Sequence, residues 1–540
     1  MKTIHTVMPA ALLAVTNISF ADFPPEEWFA NDTLAVLVVT NPTGIRDSMH
    51  EIARAANAPV QGASPIKAFV RTFVPDTDAV DLDTPMVLAL QPAKVDPTSP
   101  GRGMFGPQPE MVFFCHLAEG QTTAPSLGGG LKTAVVEDGW LIASSGKAWS
   151  PPSEDNSGGP WLIDDAPLGD FVFVADFGTL WKQLGPMAQM MGGAMIMSMN
   201  QVPPGSVPDK RSKRKSAAAS KAFRQSMKAL GQVDTIVATG DFDGYDFVID
   251  LDITTTNATE VSPDNDAIER MSRMLPAGQG ASLAMSKRML ELYASIDFEA
   301  LAELANSESA PFMTQDMAAE MIKLTRGGVV ATYNLGPEGF DAVSLADVSD
   351  SKAYAAAIPG FTKEFIEYMG QSGVEAKPVD GEANTWSIDV VGDGPNHEVF
   401  SALFGSDSQI KFTSPEESIE AFSIGSADWN PIGKLNDNLL TQLLEEHGEE
   451  SIDLALTVDP RQFMAAFLDI AEKTGHGSGS IATSPSARSS LVLGRSTGHQ
   501  RATLRVNVMG LARLGMDMEQ LNSGAVATGG DKLAPSPSGD

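Results

Sequence analysis

The sequence predicts an α+β fold, internally duplicated, with antiparallel sheets and capped helices packed on one face. Three observations predict it. A short apolar run, then Asp or Asn, then a helical pattern occurs five times. Asp-Gly pairs join short alternating runs, as hairpins require. Trp149, Asp170 and Asp176 recur, at nearly the same spacing, as Trp429, Asp453 and Asp459.

The five units follow in chain order. Leu34–Val39 leads through Asn41 into Ile45, Met49, Ile52 and Ala56. Phe171–Ala175 leads through Asp176 into Leu180, Leu184 and Met187. Leu290–Ile296 reads as a third strand, with Asp297 and then Leu301 and Leu304. Ala342–Ala346 is followed by Asp347, Tyr354, Ile358 and Phe361. Leu454–Val458 is followed by Asp459, Phe463, Phe467 and Ile470. An Asp or Asn before a helix accepts a bond from an otherwise unpaired N–H, and its charge suits the positive helix end. Pro42 and Pro460 stand just after a cap, where a missing N–H costs nothing. These side chains therefore read as caps and not as catalytic groups. Lys132 and Lys411 precede the two tryptophans at similar intervals. The expected organisation is a signal peptide over 1–21, α+β halves over 22–275 and 276–523, and a disordered tail over 524–540.

Hairpin signals fill the gaps. Met86–Leu90 matches Met111–Cys115, and Thr133–Ser144 turns about Asp138-Gly139. Thr235–Thr239 matches Tyr245–Ile253, and Leu491–Leu493 matches Ala502–Val508. Asp380-Gly381 precedes the alternating run Thr385–Val391. Pro65 starts a helix with Ile66, Phe69, Val70 and Phe73 on one face. Pro186–Met199 is shorter than the ~20 residues of a membrane span and reads as a Met-rich packed helix. Ser145–Pro160 and Gly475–Ser490 read as loops.

Met1–Ala21 has a short polar start, an apolar centre from Val7 to Val15, and Ser19-Phe20-Ala21 before Asp22. That is a secretory signal layout, so the chain is expected to be exported, periplasmic or extracellular. The net charge of −32 argues against nucleic-acid partners. A single cysteine, Cys115, excludes an internal disulfide framework and a thiolate zinc site. With 540 residues and 43% hydrophobic residues, the chain can rely on apolar cores instead.

Catalytic patterns are missing from the sequence. No His or Cys spacing fits a metal, and neither a GxSxG elbow nor a phosphate-binding glycine loop occurs. Cys115 and His116, adjacent on a strand, point to opposite sides. Asp241, Asp243 and Asp246 lack the spacing of a calcium loop. Asp246, Asp250 and Asp252 alternate with Phe247, Ile249, Leu251 and Ile253. That reads first as the solvated face of a half-buried strand and second as a cation site. No cofactor and no catalytic residue is expected.

Charge reverses over Lys210–Lys228, which holds eight basic residues and no acid. Phe223, Met227 and Leu230 give its second part a helical face. The stretch reads as a solvated linker over an acidic surface, or as a polyanion contact through Lys210, Arg211, Lys213, Arg214 and Lys215. A protease-sensitive processing loop is the third reading.

Trp28-Phe29-Ala30-Asn31-Asp32-Thr33-Leu34-Ala35-Val36 resembles the opening of uncharacterised exported bacterial α+β proteins. The likeness runs through Phe73, with Asn31 departing from the pattern. It implies export and an α+β fold and carries no catalytic residue. Three functions follow as expectations: an exported non-enzymatic scaffold or binding component of the envelope; a carrier of an apolar ligand between a curved sheet and the Met-rich helix; and a hydrolase whose residues meet only in space.

Overall fold

The computed structural model describes residues 23–25, 28–57, 65–92, 109–153, 169–199, 220, 223–224, 226–256, 261, 265–276, 280–294, 315–336, 339–370, 373–391, 397–404, 407–426, 438–448, 450–475 and 479–522. The signal segment, the tail, Trp429, Asp297 and most of the basic stretch lie outside them.

The first part of the chain forms β1 (Ala35–Val39), α1 (Pro42–Ala56), α2 (Pro65–Phe73), β2 (Met86–Gln91), β3 (Glu110–His116), β4 (Thr133–Glu137), β5 (Trp140–Ser144), β6 (Phe171–Asp176), α3 (Phe177–Met199), β7 (Val233–Asp243) and β8 (Asp246–Thr255). The second begins with α4 (Asp266–Met274), which falls within the expected first half but packs on the core of the second part, followed by β9 (Ala281–Ser286), α5 (Lys287–Ala294), α6 (Gln315–Leu324), β10 (Thr325–Gly336), β11 (Gly339–Val348) and α7 (Ser351–Gly370). It continues with β12 (Val374–Pro378), β13 (Thr385–Val390), α8 (His397–Phe404), β14 (Ser408–Glu416), β15 (Ile419–Ser426) and α9 (Leu439–Glu446). It ends with β16 (Ser451–Val458), α10 (Pro460–Lys473), β17 (Ser489–Ser496), β18 (His499–Asn507) and α11 (Val508–Asn522).

The 18 strands among the described residues join one antiparallel sheet. Its first part runs β4-β5-β3-β2-β1-β6-β7-β8. β8 then pairs with β18. From there the order is β17-β16-β9-β10-β11-β15-β14-β13-β12. Read outward from the β8–β18 pairing, both sides pass a hairpin, a strand that leads into a helix, and then the first strand of their own part. The second side adds the β12–β13 hairpin at its edge. The registers correspond as well. Ala175, just before the Asp176 cap, faces Ile236, and Val458, just before Asp459, faces Ser489. At the seam Asp250 faces Thr503, each the fifth residue of its strand, so the pairing is symmetric in register about that pair.

The predicted hairpins form, and Asp138 and Gly139 take the positive φ values (50° and 83°) that their two-residue turn demands. Caps form as predicted at three units. The Asn41 side chain accepts from Gly44 N–H at 2.9 Å, and Asp176 accepts from Thr179 N–H at 2.8 Å. Asp459 accepts from Arg461 N–H at 3.1 Å and Gln462 N–H at 3.4 Å.

Two units differ from expectation. Leu290–Ala294 is helical, inside α5, and the strand is the preceding Ala281–Ser286. Its residues Ala281, Ser282, Ala284 and Ser286 are small, so its hydrophobic alternation is faint. It is nonetheless central, paired on both sides. Asp347 does not cap a helix. It is the next-to-last residue of β11, buried, with its carboxylate gripped by Arg326 through Nε at 3.0 Å and a second guanidinium nitrogen at 2.6 Å. The cap is Asp350, which accepts from Lys352 and Ala353 N–H groups, both at 3.0 Å.

Among the described residues four apolar cores cover the sheet, two on each side of the seam. On one face of the first part, Val36, Val87 and Phe114 pack beneath Trp28, Phe29 and Trp149. On the other, Met86, Phe113 and Leu141 pack beneath Ile45 of α1 and Ile66 and Val70 of α2. In the second part, Val330, Leu345 and Ala421 meet Ile268 and Met271 of α4 and Leu440 and Leu444 of α9. Opposite them, Phe412 and Ile424 meet Ile358 and Phe365 of α7. Helices therefore cover both faces of the second part, not one face. Its strands carry apolar side chains at successive positions, so both faces need cover.

The Met-rich segment is helical in α3, as predicted. Met190 and Met191 are 42% and 61% exposed, so this helix is not packed all round. Phe463 is half-buried and Ile470 is buried in α10, whereas Phe467 is 56% exposed and lies off the core face.

Candidate functional site at the central seam

Alternation along β7, β8 and β18 puts Thr239, Asp241, Asp250, Asp252, Arg501 and Thr503 on one face. The acids of β8 do not simply face water, as the sequence suggested. Asp252 meets His499 Nδ1 at 3.0 Å and accepts from Arg501 Nε at 3.3 Å. Asp250 accepts from the Thr503 hydroxyl at 2.6 Å. Asp246 accepts from Asn507 at 2.7 Å and from Arg505 at 3.3 Å, and Arg505 also reaches Asp243 at 3.0 Å. An acidic strand is thus laid against a basic one, pair by pair.

A cleft of about 380 Å³ opens over this face, lined among others by Thr239, Asp241, Asp250, His447, Glu450 and Arg501. The loop after α9 supplies the wall. Glu450 is 7% exposed and accepts from Arg501 at 2.8 Å. Its carboxylate occupies the space a Cβ would take on residue 494, so Gly494 is what admits it. Asp241 accepts from Asp170 N–H at 2.8 Å. Burial pushes the Asp241 carboxyl above its ordinary range; the bond from Asp170 N–H opposes this, and the charges of Asp170 and Asp250 add to it.

The opposite face of the seam carries a second recess, of about 190 Å³, between α5 and strands β8, β16, β17 and β18. Ile253, Met289, Leu292 and Leu493 line it with apolar groups, and Arg288 and Arg495 with charge. Asp453, at a bulge in β16, accepts from Arg288 at 2.9 Å, from Arg495 Nε at 2.6 Å and from the Ser286 hydroxyl at 3.1 Å.

The candidate polyanion residues Lys210, Arg211, Lys213, Arg214 and Lys215 lie outside the described residues. Of the same stretch, Arg224 is helical and exposed, with its Nε bonded to Ser220 O at 3.1 Å. Phe223 is half-buried and its ring packs against Gly192 of α3. Cys115 and His116 do point to opposite faces. Burial raises the Cys115 thiol, and the His116 ring lies 3.8 Å from that of Trp140.

Among the described residues, no group of three or more His, Cys, Asp or Glu side chains is arranged to hold a metal ion. No helix among them is long and apolar enough to cross a membrane. The sequence reading passed over Glu450, His447, Arg501 and Arg505. A signal existed: Arg501, Thr503 and Arg505 alternate on β18 with the same period as the acids on β8. No family model and no curated protein matches the chain.

Proposed function

We propose that the chain is an exported, non-enzymatic component of the cell envelope, a duplicated sheet scaffold that binds a partner at its central seam. The observation that carries this reading is the seam cleft. Charged side chains from both parts of the chain converge there, and each acid is held by its neighbours: Asp241 by a backbone N–H, Asp250 by Thr503, and Asp252 and Glu450 by Arg501. A carboxylate held by such bonds is a well-positioned contact. The repeated strand order and the matching registers support duplication. Export is supported by the layout of Met1–Ala21.

The test uses protein from the exported fraction of the native host. N-terminal sequencing is expected to start at Asp22, and an intact Met1 would overturn export. Native mass spectrometry is expected to find bound mass on the wild type and none on Thr503→Trp, which fills the cleft. Equal masses would remove the cleft as a binding surface. Hydrolytic turnover abolished by Asp241→Asn in a variant that melts no lower than the wild type would overturn the non-enzymatic reading.

A second reading, carriage of an apolar ligand, is favoured by the recess on the other face. Its apolar lining lies beside α5, not beneath the Met-rich helix.

A further inference from the structure

We infer that the recess beside α5 takes an amphiphile with a single carboxylate head, its apolar body lying on the sheet. The inference rests on the carrier reading and gives it a ligand class.

The apolar part comes first. Ile253 and Leu493 form the floor, and Leu292 stands over it 58% exposed. The floor does not stop at the recess. Leu251, Leu491 and Leu504 continue it on the same face of β8, β17 and β18, half-buried or, for Leu504, 36% exposed. None of these five sheet residues belongs to any of the four cores. An apolar tract on paired strands, outside every one of these cores, fits an alkyl chain.

Charge identifies the head. Asp453 offers one carboxylate to two guanidiniums, Arg288 and Arg495, which leaves one positive charge in excess. Arg495 spends its Nε on Asp453 and Arg288 one terminal nitrogen, and no other bond from either is made to the described residues. Arg501 is not available, being spent on Asp252 and Glu450. A monoanion balances the excess, and planar guanidinium donors match a carboxylate.

The matching place in the first part has no such charge. Phe242 holds the register position of Arg495, next to the last residue of its strand, and its ring packs on Phe247 at 4.9 Å. The arginine is a departure confined to the side of the sheet that carries the recess.

Calorimetric titration of the mature chain with decanoate, decanol and decyl phosphate tests the inference. Decanoate is expected to bind at least about tenfold more tightly than decanol. Arg288→Gln combined with Arg495→Gln should weaken decanoate about tenfold or more and change decanol less than about twofold. Because that variant leaves Asp453 short of partners, Gln500→Glu provides an independent check. Gln500 lines the recess, is exposed and makes no part of the ion pair. An added carboxylate there should weaken decanoate and spare decanol at unchanged melting. Equal binding of decanol and decanoate would overturn the carboxylate head and leave the carrier reading standing. Tighter binding of decyl phosphate than of decanoate would also overturn it. Binding of none of the three would overturn both.

Discussion

Asp170 and Asp453 hold the same place on the two sides of the seam, each six residues before a capping aspartate, and they keep different company. Asp170 is bonded by Asn41 Nδ2 at 2.9 Å and by Phe242 N–H at 3.2 Å, neutral donors of its own part. Asp453 is bonded by two guanidiniums and a hydroxyl. The caps that follow diverge in the same sense. Asp176 accepts from one backbone N–H. Asp459, fully buried, accepts also from Ala487 N–H and the Ser486 hydroxyl, which ties the loop before β17 to α10. Beside it Arg461, 1% exposed, is paired with Asp517 of α11. The two sides of the seam thus keep a similar strand order, while the second replaces neutral donors by guanidiniums and buries its capping aspartate.

The contrast can be broken by substitution. The largest effect is expected at Asp459. Asp459→Ala should cost about 3 kcal/mol in urea unfolding, because it strands buried donors as well as a cap. Asp176→Ala should cost about 1 kcal/mol, the ordinary value of a cap. Equal costs would show that the extra bonds at Asp459 add nothing. Next comes the second pair. Asp453→Asn should cost about 2 kcal/mol, since it leaves Arg288 and Arg495 facing each other without a charge between them. Asp170→Asn, where the donors are neutral, should cost about 1 kcal/mol or less.

The smallest effect concerns pH and sharpens the comparison at the seam. The Asp241 carboxyl is raised in the folded state by burial, with Asp170 and Asp250 adding repulsion. A raised carboxyl favours folding when protonated. Its stabilising contribution is therefore present below the unfolded value of about 4 and lost as pH rises through the folded value. Asp241→Asn should be the more stable protein at neutral pH, with the gap closing as pH falls below about 4. Urea midpoints at a series of pH values measure it, and a gap that widens on acidification would reverse the sign.

Much of the fold is legible in the sequence, for local reasons. The Asp138-Gly139 hairpin and the Asn41, Asp176 and Asp459 caps are written in residues a few positions apart. The strand Ala281–Ser286 is not legible, because small side chains give no period to read, and Leu290 and Leu292 next to it imitate one. Asp347 resembles a cap from its place after an apolar run. Its partner Arg326, on the neighbouring strand, shows it to be a buried carboxylate held by an arginine. The seam cleft is hidden for a different reason. Its acids and its arginines are separated by most of the second part of the chain, and complementary alternation over such a distance has meaning only once the strands are known to pair.

The Asp250–Thr503 pair has a consequence for assembly. While the chain is being made, β8 exists long before β18, and its edge offers open hydrogen-bonding groups to any other nascent copy. Two β8 strands meeting in the register the seam uses would set Asp250 against Asp250, like charges in direct opposition. The edge therefore repels its own kind and waits for Thr503, flanked by Arg501 and Arg505, to arrive on the same molecule. In that register Asp250 disfavours a β8–β8 pairing relative to the β8–β18 pairing of the fold.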